Sequence, residues 1–296
     1  MHRPALAQWL GLGLALITLG GAIAFNLYLE HGLTAAREKD RLSSQARVIA
    51  ENMELELAGA NLALEGIRDD LPNWKESSVL QSETRYLKAL TNAMPGIRYI
   101  GVTDAKGTLL ASNQPQLVGS NFSYRDYFQA VKQHPDADTL YVSPPFKSVL
   151  GAYVINITRM IPGPRGEFAG IVTATLDPGY FKTLMASVLY APDVWDAIGH
   201  GDGLLFLMMP ERKAVHGTNL AQPGSFFTQH RDSGQVATVL TGTVYATKEE
   251  RMMAQRTVHP DTLRMDKPLV VAVSRDLDTV SNPGSAMLWH RPGCSG

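Results

Sequence analysis

No charged residue occurs between Ala5 and Leu29, and about twenty consecutive apolar residues cross the hydrocarbon core of a bilayer as a helix. Trp9 and Tyr28 stand near the two ends of this run, where interfacial aromatics sit. A helix that is apolar all round must be covered on every side, so the run reads as a membrane span rather than the core helix of a globular domain. Two fates fit it: an uncleaved anchor, which accounts for the unbroken run into Tyr28-Leu29, and a signal peptide cleaved near Ala22-Ile23-Ala24. The anchor is the expectation carried forward. Arg3 precedes the run and Glu30 follows it, which puts a short amino terminus in the cytoplasm and the rest of the chain outside.

From His31 to about Leu71 the pattern is that of one long amphipathic helix. Leu33, Ala36, Leu42, Ala46, Ile49, Met53, Leu57, Ala60, Leu64 and Ile67 recur at spacings of three and four. Pro72 stops it. About forty residues reach some 60 Å, so this helix can be a spine and a dimer contact, or a solvated stalk with no further role. The remainder of the 296 residues, 45% hydrophobic overall, suffices for one large or two small domains. A formal net charge of −1 and the lack of a basic run argue against a nucleic-acid partner. The single cysteine, Cys294, excludes an intramolecular disulfide and a cysteine-based metal site.

Ser78 to Met94 is predicted as a second helix. The period then changes to that of strands: Ile97 to Thr103, a turn at Asp104-Ala105-Lys106-Gly107, and a return over Thr108 to Ser112. Val118 to Phe128 gathers an arginine, an aspartate and four aromatics, a set suited to gripping a small anion, and Asp126 to Gln133 reads as a short helix. Leu140 to Ser143, Ala152 to Ile161 and Phe168 to Leu176 are three more strands, and Pro178 to Val188 is helical. A five-stranded antiparallel sheet in an α+β fold is expected. After Pro192 a weaker copy begins: Gly203 to Met209 and Lys213 to His216 as a hairpin around Pro210-Glu211, a short helix near Ser225 to Gln229, and a hairpin of Arg251 to Val258 with Leu269 to Ser274. The middle of that copy, Gly217 to Gly242, is turn-rich and resists assignment.

The runs Val118 to Phe128 (VGSNFSYRDYF), Tyr141 to Phe146, Gly151 to Arg159, and Phe168 to Asp177 with Tyr180-Phe181 have an order and spacing that resembles the double Cache sensor domain of membrane-bound histidine kinases, diguanylate cyclases and chemoreceptors. The two modules of that family are PAS-like, and the resemblance covers about residues 30 to 280. It implies a membrane anchor over 1–30, a spine helix over 31–75, a membrane-distal module over 76–190, a membrane-proximal module over 191–280 and an irregular tail over 281–296. It also implies a homodimer through the long helix, single-pass in the bacterial inner membrane with the sensor periplasmic. The family's ligand, an organic acid or amino acid, lies between the short helix and the sheet of the distal module. By that resemblance Arg125 and Tyr127 fall in the anion-gripping motif, Tyr141 and Tyr153 line the pocket from the strands, and Asp177 stands where an acid can receive a ligand amine. Amino-acid sensors have a Trp-Tyr pair where this chain has Tyr127-Phe128, and dicarboxylate-sensing kinases have a similar aromatic-rich run, so an organic acid is at least as well supported.

The residue types support some of this independently. A guanidinium offers planar paired donors that match a carboxylate, although Arg125 could instead pair with Asp126 to fix the loop. Strand alternation puts Thr173, Thr175 and Asp177 on one polar face, yet Asp177 before Pro178 is also a favoured helix cap. Tyr141 and Tyr153 are equally readable as core aromatics, and Lys147 as a second cation or an exposed loop residue.

Catalytic readings find little. The histidines at 200, 216, 230, 259 and 290 lack metal-ligand spacing, and His200-Gly201-Asp202-Gly203 reads as a turn. No phosphate-binding loop or nucleophile elbow occurs, nor does a Gly-Gly-Asp-Glu-Phe cyclase motif or a phosphoacceptor histidine box. No enzymatic activity and no cofactor are expected of this chain alone. Relatives continue after the last strand into a second span, whereas here Ser281-Asn282-Pro283-Gly284 opens a tail without an apolar run. A truncated or frame-shifted product is expected, with lateral signalling through a partner as the alternative. Three functional readings result: a sensor of a small anionic metabolite, the sensory fragment of a diguanylate cyclase or histidine kinase, and a ligand-free envelope scaffold.

Overall fold

A computed structural model describes residues 3–74, 79–149, 151–212, 215 and 217–281; within these, the side chains of 3–11, 23–33, 79–81 and 281 are not described. Arg3–Asp70 form a single helix, α1, so the apolar run and the amphipathic segment share one backbone. It ends where expected, in a 3-10 turn Leu71–Asn73 containing Pro72, whose missing N–H and ring geometry forbid another helical turn. From Leu42 to Ile67 every predicted inward position is buried, each such leucine or isoleucine contributing roughly 1.5–3 kcal/mol. Ala36 is the exception: it is exposed. Among the described residues no helix is long and apolar enough to cross a membrane. The expected span draws on residues 5–11 and 23–29, whose side chains lie outside the described set.

After α2 (Val79–Ala93) come β1 (Ile97–Asp104), β2 (Leu109–Ser112), α3 (Asp126–Gln133), β3 (Tyr141–Val142), β4 (Phe146–Lys147), β5 (Tyr153–Val154), β6 (Asn156–Pro162), β7 (Phe168–Leu176) and α4 (Pro178–Val188). Then follow β8 (Trp195–His200), β9 (Leu205–Met209), α5 (Phe226–Ser233), β10 (Ala237–Thr243), β11 (Glu250–Val258), β12 (Leu269–Asp276) and α6 (Leu277–Ser281). The first sheet runs β2-β1-β7-β6-β3 and the second β9-β8-β12-β11-β10. These are one topology used twice: an opening hairpin, with the last strand beside its first member and the middle strands beyond.

Two sequence expectations need correction. The strand foreseen over Ala152 to Ile161 is divided, because Tyr153–Val154 leaves the main sheet to pair with Phe146–Lys147 in a separate ribbon. The hairpin foreseen for Gly203 to Met209 with Lys213 to His216 is not the pairing observed: β9 pairs with β8 through the turn at His200–Gly203, where Gly203 has φ 92°. Lys213, Ala214 and His216 lie outside the described residues. β8 shows no apolar–polar alternation because all six of its residues are buried, Asp196 and His200 included.

α1 lies across both sheets, burying Ile100, Ile157, Val172 and Ala174 of the first and Ile198, Ala254, Val271 and Val273 of the second in one continuous core. The sheets also meet at β3. Val142 N–H donates to Asp266 Oδ1 at 2.7 Å, and buried His200 Nε2 donates to Val142 O at 3.1 Å. Burial keeps His200 below the ordinary imidazole range.

Candidate functional site

The face of the first sheet turned away from α1 is covered by α3, and the loop before α3 is locked by short-range bonds. Gly107, at φ 82°, lies so close to Ser123 that a Cβ there would come within 2.6 Å of the Ser123 nitrogen. Phe122 N–H donates to Gly107 O at 2.8 Å and Leu109 N–H to Ser120 O at 2.9 Å. Asn121 Oδ1 accepts Ser123 N–H at 3.0 Å, and its Nδ2 donates to Lys106 O at 2.9 Å. The loop thus delivers Arg125 to the N-cap position of α3.

There the Arg125 guanidinium lies 5.0 Å from the Tyr124 ring and 5.4 Å from the Phe146 ring. Its Nη1 donates to Lys147 O at 3.5 Å. Lys147 is exposed beside it on β4. Tyr127 is buried under this cluster, its ring 5.5 Å from Phe146. Burial, reinforced by Tyr99, raises the Tyr127 phenol above the ordinary range, so it stays protonated and able to donate. Arg125, Tyr127 and Lys147 therefore come together, and the feared Arg125–Asp126 pair is not among the ion pairs of the described residues.

Below them the sheet face is half apolar and half polar. Leu109, Met160 and Ile171 pack with Phe128 of α3. Cross-strand pairing places Tyr99, Gly101 and Thr103 of β1 opposite Thr175, Thr173 and Ile171 of β7, and Thr173 and Thr175 opposite Thr158 and Asn156 of β6. Residues paired across strands share a face. The polar side chains bond to one another: Thr158 Oγ1 with Thr173 Oγ1 at 3.0 Å, and Thr175 Oγ1 donates to Asn156 Oδ1 at 2.7 Å. Tyr99 lies flat over Gly101, where a Cβ would sit 2.4 Å from its Oη. Burial pushes its phenol up to about 12, with the Ser112 hydroxyl partly offsetting this. Thr103 Oγ1, 2% exposed, has no hydrogen-bond partner. A cation over neutral phenols and hydroxyls can bind an anion without performing proton transfer.

Of the other predicted residues, Tyr141 packs in the same cluster as Tyr127 and Phe128, and Tyr153 pairs across strands with Lys147. Tyr141 is buried and its hydroxyl donates to His134 O. Tyr153 directs its hydroxyl toward Gly217, whose added Cβ would lie 2.7 Å from it. Asp177 is the N-cap of α4, its Oδ1 accepting Gly179 N–H at 2.8 Å. The sequence reading singled out neither Tyr99 nor Asn156. Alternation along β1 and β6 would have placed both on the face of Thr173 and Thr175.

A long helix bearing two sheets of one topology is the architecture of double Cache sensor domains, and the structure matches extracellular sensor domains of histidine kinases and chemoreceptors. The extracellular domain of rpHK1S-Z16, described as a histidine kinase, superposes with a TM-score of 0.70 at 22% identity, over 83% of this chain and 97% of that one. The periplasmic sensory domain of the Campylobacter jejuni chemoreceptor Tlp1 gives 0.65 at 13% identity, over 84% and 99%. The ligand-binding domain of the Pseudomonas aeruginosa PAO1 amino acid chemoreceptor PctB, in complex with L-Arg, gives 0.61 at 15% identity, over 87% and 95%. At these identities the likeness is one of fold. No protein-family model and no curated protein sequence matches the chain.

Proposed function

We propose that the chain is an extracytoplasmic sensor that binds a small carboxylate, an organic acid or amino acid, between α3 and the first sheet. The single observation that carries this reading is the position of Arg125 at the start of α3, flanked by Tyr124 and Phe146 and above buried Tyr127. Aromatic walls exclude water and so strengthen a charge-assisted bond to a carboxylate. Lys147 is the second cation at the entrance, and Tyr99, Thr103 and Asn156 supply neutral polar groups on the floor. Asp177, Tyr141 and Tyr153 are already engaged by protein groups and act here as structural residues. Amino-acid ligands in PctB and in the Pseudomonas fluorescens chemoreceptor CtaA with L-serine keep that class in the panel to be screened.

The modules are taken as 76–190, distal, and 191–280, proximal, on an anchor over 1–30 and a spine over 31–75. Exposure of Leu12, Leu14, Leu16, Ile17 and Leu19 on α1 supports the anchor, since such a band is stable only against lipid or protein. Exposed Val48, Leu55 and Leu62, seven residues apart on the same helix, support a homodimer through α1. A second reading, the sensory part of a longer histidine kinase or diguanylate cyclase, draws on the kinase extracellular domain among the similar structures. A thermal-shift screen of the purified chain against organic acids and amino acids tests the sensor reading. At least one carboxylate should stabilise the chain, and no response across the panel would refute it.

A further inference from the structure

The second sheet repeats several bonds of the candidate site's scaffold, with a serine where the first has its arginine. Leu205 N–H donates to Thr218 O at 3.0 Å and Leu220 N–H to Gly203 O at 2.6 Å, the counterparts of the Leu109–Ser120 and Phe122–Gly107 bonds. Asn219 Oδ1 accepts Ala221 N–H at 2.8 Å, as Asn121 does with Ser123. Gly203 at φ 92° matches Gly107 at φ 82°. The loop again delivers a residue to the N-cap of the covering helix, but that residue is Ser225, which accepts Thr228 N–H at 3.2 Å, where the first site has Arg125.

Beneath α5 lies a cavity of about 50 Å³ bounded by Trp195, Met208, Phe226, Met253, Gln255 and Ala272. A single water requires roughly 10–15 Å³, so the space holds only a few non-hydrogen atoms. Its walls are mostly apolar, with Ser225, Tyr245, Thr247 and Gln255 as the polar members; Gln255 is 4% exposed, and its Oε1 and Thr247 Oγ1 are both buried without a hydrogen-bond partner. Arg251, 5.0 Å from the Trp195 ring, is neutralised by Glu249 at 3.0 Å. Lys248 lies 4.2 Å from the Tyr245 ring but is exposed to solvent and does not line the cavity, so an anion inside would be desolvated without a cation to meet it, a cost that apolar walls cannot offset. A neutral molecule with one donor hydrogen would satisfy Gln255 and cover the walls.

We propose that this cavity is a second ligand site, taking a small uncharged molecule of the short-chain alcohol or primary amide class whose donor bonds Gln255 Oε1. The two repeats then read chemically different ligands with one scaffold, the first an anion on the reading proposed above and the second a small neutral molecule with one donor group.

The test uses the full chain in nanodiscs with ¹³C-methyl methionine, assigned through Met208→Leu and Met253→Leu, titrated with 1-propanol, 1-chloropropane and propionate. The Met208 and Met253 resonances should shift saturably with 1-propanol, and Kd for 1-chloropropane should be roughly three- to tenfold weaker, the worth of one net hydrogen bond. Propionate should give no saturable shift at these two methyls. Gln255→Leu should bring propanol to the chloropropane level, and Ala272→Leu, which fills the cavity, should abolish saturation by either. Arg125→Ala should leave the propanol response unchanged, which separates this site from the first. Shifts that never saturate, a response that survives Ala272→Leu, or propionate binding as tightly as propanol would overturn the proposal.

Discussion

The guanidinium of Arg159 in β6 meets the carboxylate of Glu65 in α1 at 2.8 Å, and its Nε donates to Asn61 Oδ1 at 2.7 Å. Arg159 lies between Thr158 and Met160 and projects from the opposite face of the strand. It therefore ties the floor of the candidate site to the spine. Its side chain is 5% exposed, and burial lowers its pKa against the pull of Glu65. Removing Glu65 leaves that buried charge short of its partner. Glu65→Ala is expected to cost about 3 kcal/mol, read as a fall in the urea midpoint, whereas the double change Arg159→Met with Glu65→Leu should recover most of it.

Asp196 lies fully buried in β8, and neither carboxylate oxygen makes a well-aligned hydrogen bond. Burial pushes it up to about 7 from 3.8, and the amides of Asp196 and Met209 offset this only in part. Between about pH 4 and 7 the folded chain keeps a proton that the unfolded chain releases, so this residue makes stability fall as pH rises through that window. A shift of this size corresponds to on the order of 4 kcal/mol. Asp196→Asn should remove that dependence. Urea midpoints of the two chains should diverge from pH 4 to 7 in favour of the variant, and parallel curves would contradict the burial of an unpaired acid.

Asp177 holds the start of α4 through Gly179 N–H. Asp177→Ala should cost about 1 kcal/mol and Asp177→Ser should restore most of it. Ligand affinity should change less than twofold in both, a result that an amine-binding acid would not give.

The outward face of α1 carries Val48, Leu55 and Leu62, with Leu55 74% exposed. In a Cys294→Ser background, Leu55→Cys should form an oxidant-dependent crosslinked dimer. Leu55→Asp with Leu62→Asp should give monomers by light scattering with an unchanged far-UV circular dichroism spectrum, and the urea midpoint should lose its dependence on protein concentration. Monomers in the unaltered chain would argue against a helix-mediated pair.

The fold was legible where one face of an element is wet. The inward series of α1 stands out because charged residues occupy its other faces, and α3 and α4 were marked by Pro135 and Pro178 at their ends. β8 was missed because it is buried on both faces, and β10 because it is an edge strand with no fully buried residue. The aromatic surroundings of Arg125 could be read from Tyr124 and Tyr127 beside it in the sequence. The surroundings of Tyr141 and Tyr153 could not, because what a tyrosine hydroxyl meets is fixed by the fold: His134 O accepts from Tyr141, and Tyr153 lies close to Gly217.

The central claim is that Arg125 reads a carboxylate at the start of α3. Isothermal titration of the strongest carboxylate from the screen into the unaltered chain, Arg125→Lys and Arg125→Ala tests it most directly. A bidentate guanidinium contact predicts about a tenfold or greater loss of affinity in Arg125→Ala and a partial loss in Arg125→Lys. Equal affinity in all three chains would place the ligand elsewhere and contradict the account.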